Sequence, residues 1–373
     1  MKNLFVIFVK RPIGFFLRKL EEEKYRRNLD RQQLNIPDKG IYLSYAGQSV
    51  PDVNGILHGG RVKLIHLAQE YPEKKLLTNV VYFVSSAVPK YAEVLVLYLK
   101  GRGVKFVWNQ NGVAYPAWDS DNYKITNSKL ASLLHMADYV VYQSEFCRHS
   151  ANRYLGEAKV PSKVLYNPVD TERFSPSNNP PSLDIWQLLI TGTHLQSDRV
   201  LLILKILADL KNRGQDVKLI IAGRLAWPDG DKETDDVIKQ LNLASNVELL
   251  GAFTQDQAPG IYQAAHILFH IKYKDPCPTV PIEAMSCGVP VIGSLSGGMK
   301  ELVSDEGGLL LDVPDVWDEM CYPAPEDMVD AVINIMGDLQ SWRQKARQRA
   351  VSHFSKEYWL EQHRQIFTEV LEQ

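Results

Sequence analysis

At 373 residues, with 45% hydrophobic and 23% charged side chains, the chain has the make-up of a soluble globular protein of about two domains. A formal net charge of -2 lacks the basic excess of a dedicated nucleic-acid binder, so no nucleic-acid partner is expected. Cys147, Cys277, Cys287 and Cys321 form no CxxC pair; they read as reduced packing thiols of a cytoplasmic enzyme.

In chain order, the first segment is the least ordinary. The apolar run Leu4 to Val9 is too short to span a bilayer and is broken by Lys10, Arg11 and Pro12. No small-residue cleavage site follows it, which argues against a secretory signal. Between Met1 and Arg31 nine basic residues face four acidic ones, interleaved with Phe5, Phe8, Phe15 and Phe16. That mixture suits peripheral contact of residues 1–31 with an anionic membrane surface, at the inner face of the membrane. The other reading is an extension that packs on its own protein or stays disordered.

From Gly40 the pattern alternates strand and helix. GIYLSYAG, NVVYFVSSA, KFVWNQNG, DYVVYQS and KVLYN read as strands. RVKLIHLAQEY, YAEVLVLYLKGRG, KLASLLHMA and EFCRHSANRYLG read as the helices between them, with AYPAWDSDNYKITNS as a loop. A Pro/Asn/Ser-rich linker follows over 167–183, and the alternation restarts at QLLITGT. The expected architecture is α/β: two Rossmann-like domains, each a parallel sheet covered by helices, facing a central cleft. The boundaries are an extension over 1–39, an N-terminal domain over 40–166, the linker over 167–183, and a C-terminal domain over 184–345. Helices over 346–373 are expected to pack back toward the N-terminal domain.

The most informative stretch is DPCPTVPIEAMSCGVPVIGSLSGGMKE, from Asp275 to Glu301. It holds an acid, seven residues, the acid Glu283 within a helix, an apolar strand, then Ser296-Gly297-Gly298 at the mouth of another helix. An acid before a helix can bind sugar hydroxyls, and one inside it can take a ribose diol. Nearby helix N-termini offer unpaired N–H groups to a diphosphate. A nucleotide-sugar fits this set.

At these residues the chain resembles the retaining glycosyltransferases of family 4, which have the GT-B fold. The family's Glu-x7-Glu and Ala-Met-small-x-Gly-x-Pro-Val-Ile run are matched by Glu283, Ala284, Met285, Gly288, Pro290, Val291 and Ile292. The Gly-Gly pair and the acid after it fall at Gly297, Gly298 and Glu301. The resemblance extends to NPVDTERFSP, KLIIAGR, VELLGAF, DYVVYQSEF and, more loosely, the NGILHGG loop. It implies a metal-independent hexosyltransferase of polysaccharide or glycoconjugate biosynthesis, without a cofactor. The donor is a nucleoside diphosphate sugar and the acceptor a glycan or lipid-linked molecule. Residue by residue, Asp275 contacts the donor sugar and Glu283 the ribose. Thr279, Ser296, Gly297 and Gly298 lie near the sugar or diphosphate, as do Gly59 and Gly60 from the other domain. Asn111 stands at the N-terminal domain's catalytic place.

Three departures are plain. Asp275 replaces the family's first Glu. Thr193 and Asp198 stand where Arg and Lys are usual, which makes Arg199 the candidate cation. WNQNG, with Asn109, Gln110 and Asn111, replaces a strand-ending His, and amides orient hydroxyls without acting as bases. Asp119-Ser120-Asp121 spells DxD but reads as a solvated loop, so no metal site is expected. His270 and His58 are candidate cleft residues, and Tyr115, Pro116 and Trp118 a candidate acceptor wall. Two other readings stay open: a GT-B nucleotide-sugar epimerase, and a catalytically silent sugar-nucleotide-binding protein.

Overall fold

The computed structural model describes residues 17, 19–46, 50, 61–74 and 76–373. Gly59 and Gly60, His58, and most of the basic N-terminal segment therefore lie outside the described residues. A helix over 19–30, α1, precedes strand β1 (Leu43–Ser44). Then come α2 (Val62–Glu70), β2 (Val80–Val84), α3 (Ala92–Lys100), β3 (Lys105–Gln110), α4 (Tyr123–Met136), β4 (Tyr139–Tyr142), α5 (Glu145–Leu155) and β5 (Ser162–Val164). These strands form a parallel sheet in the order β1-β2-β3-β4-β5. Its middle strands are buried on both faces, which explains why VVYFV and YVVY are continuous apolar runs rather than alternating ones.

The C-terminal half holds β6 (Trp186–Thr191), α6 (Ser197–Asn212), β7 (Val217–Ala222), α7 (Gly230–Gln240), β8 (Val247–Gly251), α8 (Ala258–Gln263) and β9 (Ile267–His270). It continues through α9 (Thr279–Ser286), β10 (Val291–Ser294), α10 (Met299–Val303), β11 (Gly308–Leu311) and α11 (Pro325–Gly337). Its six parallel strands run β11-β10-β9-β6-β7-β8. The order reverses between β6 and β9, and the crevice beyond the carboxyl ends of those strands is where doubly wound sheets bind ligands.

The final helices, α12 (Leu339–Phe354) and α13 (Lys356–Glu372), return the chain to the first sheet. Trp359, Ile366, Phe367 and Val370 of α13 share a core with Leu43, Tyr82 and Val107. The two crossings between the halves run side by side. Val169 donates its N–H to Phe354 O (2.8 Å) and accepts from Lys356 N (3.0 Å), with Lys356 paired to Asp170.

Two local readings change. Helix α4 begins at Tyr123, within the stretch read as a loop. Asp119 Oδ1 accepts the Asn122 N–H at 3.2 Å just before it, and Asn127 turns inward to bond both backbone groups of Ala114 (3.0 and 2.8 Å). A Thr/Asn/Ser-rich run looks like a loop only when those side chains compete for their own backbone; here one serves another segment. The second change is α1, which docks on α3. Leu29 is buried, Tyr98 Oη donates to Leu29 O (2.7 Å), and Arg102 pairs with Asp30 (3.2 Å). The end of this helix thus rests on its own protein through Leu29 and Asp30, while most of its residues are exposed.

Candidate active site

Asp275 lies between β9 and α9 with its side chain largely buried. Lys272 Nζ is 2.8 Å from its carboxylate and His270 Nε2 3.7 Å, beyond hydrogen-bond length. Burial alone would raise its pKa, but Lys272, then His270, hold it well below the ordinary range, so it is ionised. Arg199, in the first turn of α6, is within electrostatic reach of Asp275 and of the Tyr322 hydroxyl. Burial lowers its pKa, which still leaves a cation facing the crevice.

Around these two charges, buried polar atoms go without partners. Thr191 Oγ1 ends β6, His270 Nε2 ends β9 and Ser294 Oγ ends β10, while His194 Nδ1 and Arg199 Nε flank them; none has a hydrogen-bond partner. His194 places Nε2 3.2 Å from Ala222 O, so Nδ1 is its free acceptor, and burial brings its pKa down to about 4. Buried polar groups are nearly always satisfied, and such a cluster at a switch point marks a polar ligand site. Unpaired N–H and hydroxyl groups beside an arginine suit phosphate and sugar oxygens.

Glu283 sits in the second turn of α9, opposite the linker. Tyr262 Oη donates to it at 2.7 Å and Gln255 Nε2 at 3.2 Å; burial raises its pKa against those two bonds. It opens on a cavity of about 60 Å³ walled by Ile65 and His66 of α2, Asp170 and Arg173 of the linker, and Gln255. That volume is far below the roughly 300 Å³ at which ligand pockets begin. Thr279, at the start of α9, is half-buried between the two acids.

The Ser296-Gly297-Gly298 turn has a structural duty of its own. Gly297 has φ +63°, and a Cβ there would overlap the Asp275 carbonyl. A Cβ on Gly298 would overlap the Pro276 carbonyl. The Gly298 amide donates to Asp275 O (2.9 Å), the Ser296 amide to Ser294 O (2.8 Å), and Ser296 Oγ accepts from Lys274 N (2.9 Å). The glycines press this turn onto the Asp275 backbone.

Asn111 belongs to a different cluster. Its Oδ1 accepts from Lys63 Nζ (2.8 Å) and Gln143 Nε2 (2.5 Å), and its Nδ2 donates to Ser86 Oγ (2.6 Å). Lys63 also donates to Asn109 Oδ1 (2.6 Å) and reaches Asn167 Oδ1 (3.4 Å). Asn167 in turn donates Nδ2 to Cys277 O (2.6 Å), two residues from Asp275. Lys63 is 2% exposed and faces no carboxylate in this cluster; burial pulls its pKa down to about 7. Sequence reasoning missed it as part of an amphipathic helix. The available signal was a lysine four residues before Leu67, on the helix's buried side. Tyr115 is buried beside Tyr273, while Asp121 of the DxD triplet is exposed. Among the described residues, no three His, Cys, Asp or Glu side chains gather to hold a metal.

Two facing Rossmann-like halves with a polar site at the switch point define a GT-B protein. Solved GT-B structures overlay most of the chain. A glycosyltransferase from Rickettsia africae matches with TM-score 0.63 at 19% identity, over 83% of this chain and 80% of that one. Anabaena HepE in complex with UDP-glucose matches with TM-score 0.63 at 19% identity, over 82% and 81%. Residues 178–348 match the model of the family glycosyl transferases group 1. Among curated relatives, the gpi3 subunit of the Schizosaccharomyces pombe phosphatidylinositol N-acetylglucosaminyltransferase is 24% identical over 57% of this chain and 44% of its own. A D-inositol 3-phosphate glycosyltransferase of Mycobacteroides abscessus is 32% identical over 26% and 22%. The aligned stretches span less than half of these curated relatives' own length.

Proposed function

We propose that the protein is a retaining, metal-independent hexosyltransferase that uses a nucleoside diphosphate sugar and a glycan or lipid-linked acceptor. The observation that carries this reading is the group of unpartnered buried polar atoms of Thr191, His194, Arg199, His270 and Ser294 around ionised Asp275. The diphosphate lies against Arg199, and Thr279 at the start of α9 lies toward the sugar. Asp275 takes the sugar hydroxyls and Glu283 the ribose. In the transfer, the acceptor oxygen bonds to the anomeric carbon on the face the phosphate leaves. The carbon–oxygen bond to phosphate breaks, and the departing phosphate oxygen takes the acceptor's proton. Arg199 stabilises the charge that builds there, while the protein positions both partners. The segment before residue 17 is assigned to contact with an anionic membrane surface; no described helix is long and apolar enough to cross one.

The test is a thermal-shift panel of nucleotide-sugars, followed by product analysis with retention read from the anomeric configuration. A ligand bound to the native state alone at 100 times its Kd adds ~2.7 kcal/mol and raises Tm visibly. No stabilisation by any nucleotide-sugar rejects the reading. A silent binding protein is the second reading, favoured by Asn111, whose side-chain amide is already held by Lys63, Gln143 and Ser86. Binding without turnover would select it, and interconversion of the donor without acceptor would select an epimerase.

A further inference from the structure

The connection 312–324, between β11 and α11, has no regular structure and reaches across to the N-terminal half. Irregular connections of this length are uncommon in compact domains and are usually functional. Its tip is Trp317. The ring stacks on Phe146 at the start of α5 (5.8 Å between centroids, 7° between planes) and meets Tyr115 and Tyr154 edge-on at 5.4 and 5.2 Å. Arg153 lies 5.2 Å from the ring centroid, and Trp317 O accepts the Ala117 N–H at 2.9 Å. All five of these partners belong to the N-terminal half.

The same connection grips the two residues before Asp275. Tyr273 Oη accepts the Val316 N–H (2.9 Å) and donates to the carbonyl of Pro314 (2.5 Å). Lys274 is buried, pairs with Asp315, and sets its ammonium 4.2 Å from the Trp317 centroid. From the other side, Tyr115 Oη donates to Tyr273 O at 3.2 Å. Lys274 has φ +47°, in the left-handed region that a side chain avoids. Such a conformation costs of order 1–3 kcal/mol and persists only where its surroundings over-determine it. Here the surroundings are Asp315, Trp317 and the Ser296 hydroxyl on its amide.

We infer that Trp317 is a positioning residue: docked on Phe146 and Tyr115, it holds the strained Tyr273–Lys274 backbone, and thereby Asp275, in the geometry that binds the donor sugar. The donor site of one half is then complete only when the other half docks on it. The nucleotide end of the site, at Glu283, lies outside these contacts and is indifferent to Trp317. The inference rests on the donor-site reading above for its substrate, though its structural core can be measured without one.

The experiment compares wild type, Trp317→Ala, Trp317→Phe and Phe146→Ala, the last removing the stack from the opposite side. UDP and UDP-glucose are the probes, read by calorimetry, with amide hydrogen exchange over 273–277. Loss of the ring should leave UDP affinity within about 2-fold. It should weaken UDP-glucose ~10-fold or more, because a small misplacement of a sugar-binding group is costly. Exchange over 273–277 should quicken ~10-fold in both alanine variants, and Trp317→Phe should restore both readouts. A purely structural tryptophan would lower both affinities together or neither. UDP-glucose binding and 273–277 exchange at wild-type values in both alanine variants would overturn the inference. If wild type binds neither probe, the UDP-sugar donor is what fails, and exchange over 273–277 alone decides this proposal in the same sense.

Discussion

The ammonium of Lys63 donates to Oδ1 of Asn111 at 2.8 Å, and the same ammonium reaches Asn109 at 2.6 Å and Asn167 at 3.4 Å. Three carbonyl acceptors meet three N–H donors with no carboxylate between them. The lysine therefore joins the ends of the first sheet to the linker, and through Asn167 to Cys277, two residues from Asp275.

This burial has a pH signature. Folded, Lys63 titrates at about 7, whereas an unfolded lysine titrates near ~10.4. Between those values the unfolded chain binds more protons, so Lys63 makes stability rise with pH; the gain is lost as pH falls from the unfolded value to the folded one, and below that Lys63 adds no pH dependence. The thiols Cys277 and Cys147 and the ring of His363 face the ammonium. Lys63→Met should flatten the rise, which amounts to at most ~1.4 kcal/mol per pH unit. Urea unfolding at pH 7, 8 and 9 measures it; identical slopes in the two proteins would refute the assignment.

Glu283→Ala should weaken the nucleoside diphosphate ~10- to 100-fold, the range for losing hydrogen bonds to a charged group. Stability should change little, since a buried carboxylate raised by desolvation is costly to keep. Calorimetry with UDP and a melting curve answer both halves. Undiminished affinity would move the ribose elsewhere.

Asp275→Asn should lower turnover more than donor binding, by ~10-fold or more in kcat, because the charge that orients the sugar is lost while its shape remains. Lys272 then loses its 2.8 Å partner. Steady-state kinetics with the donor found by the panel will tell. A wild-type kcat would remove Asp275 from the sugar site.

Arg199→Met separates function from stability. Its Nε is buried without a partner and burial disfavours its charge, so the variant should melt at or above the wild-type temperature. Diphosphate binding should fall ~10-fold or more, since a charge-assisted contact disappears. A variant that melts lower and binds UDP normally would make Arg199 structural.

Truncation should split the N-terminal segment in two. Removing residues 1–16 should release the protein from anionic vesicles in a sedimentation assay without lowering Tm. Removing residues 1–31 should also destabilise, by ~2 kcal/mol or more, because Leu29 and the Tyr98 contact to its carbonyl go with it. Vesicle binding unchanged by the first cut would end the membrane assignment.

The alternation of apolar runs with helical patterns, and the acid pair with its glycine turn, were legible because they are local. A buried parallel strand must be apolar along its length, and a turn pressed against backbone at Gly297 and Gly298 tolerates no Cβ. Those constraints act within a few residues, so the chain states the two-sheet architecture and the place of Asp275 and Glu283 on its own. What partners a side chain finds across the molecule is not local. Lys63 looks like one more charge on an amphipathic helix until β3 and the linker bring it three asparagines. Glu301 sits in the motif's last position, yet its carboxylate accepts the Glu145 and Phe146 amides of α5 at 2.7 and 2.8 Å. Trp317 lies in a connection with no pattern at all, and only docking of the halves gives it Phe146 and Tyr115. Packing between distant segments decides these contacts, since burial and hydrogen-bond satisfaction are settled by whichever groups meet, however far apart they stand in the chain.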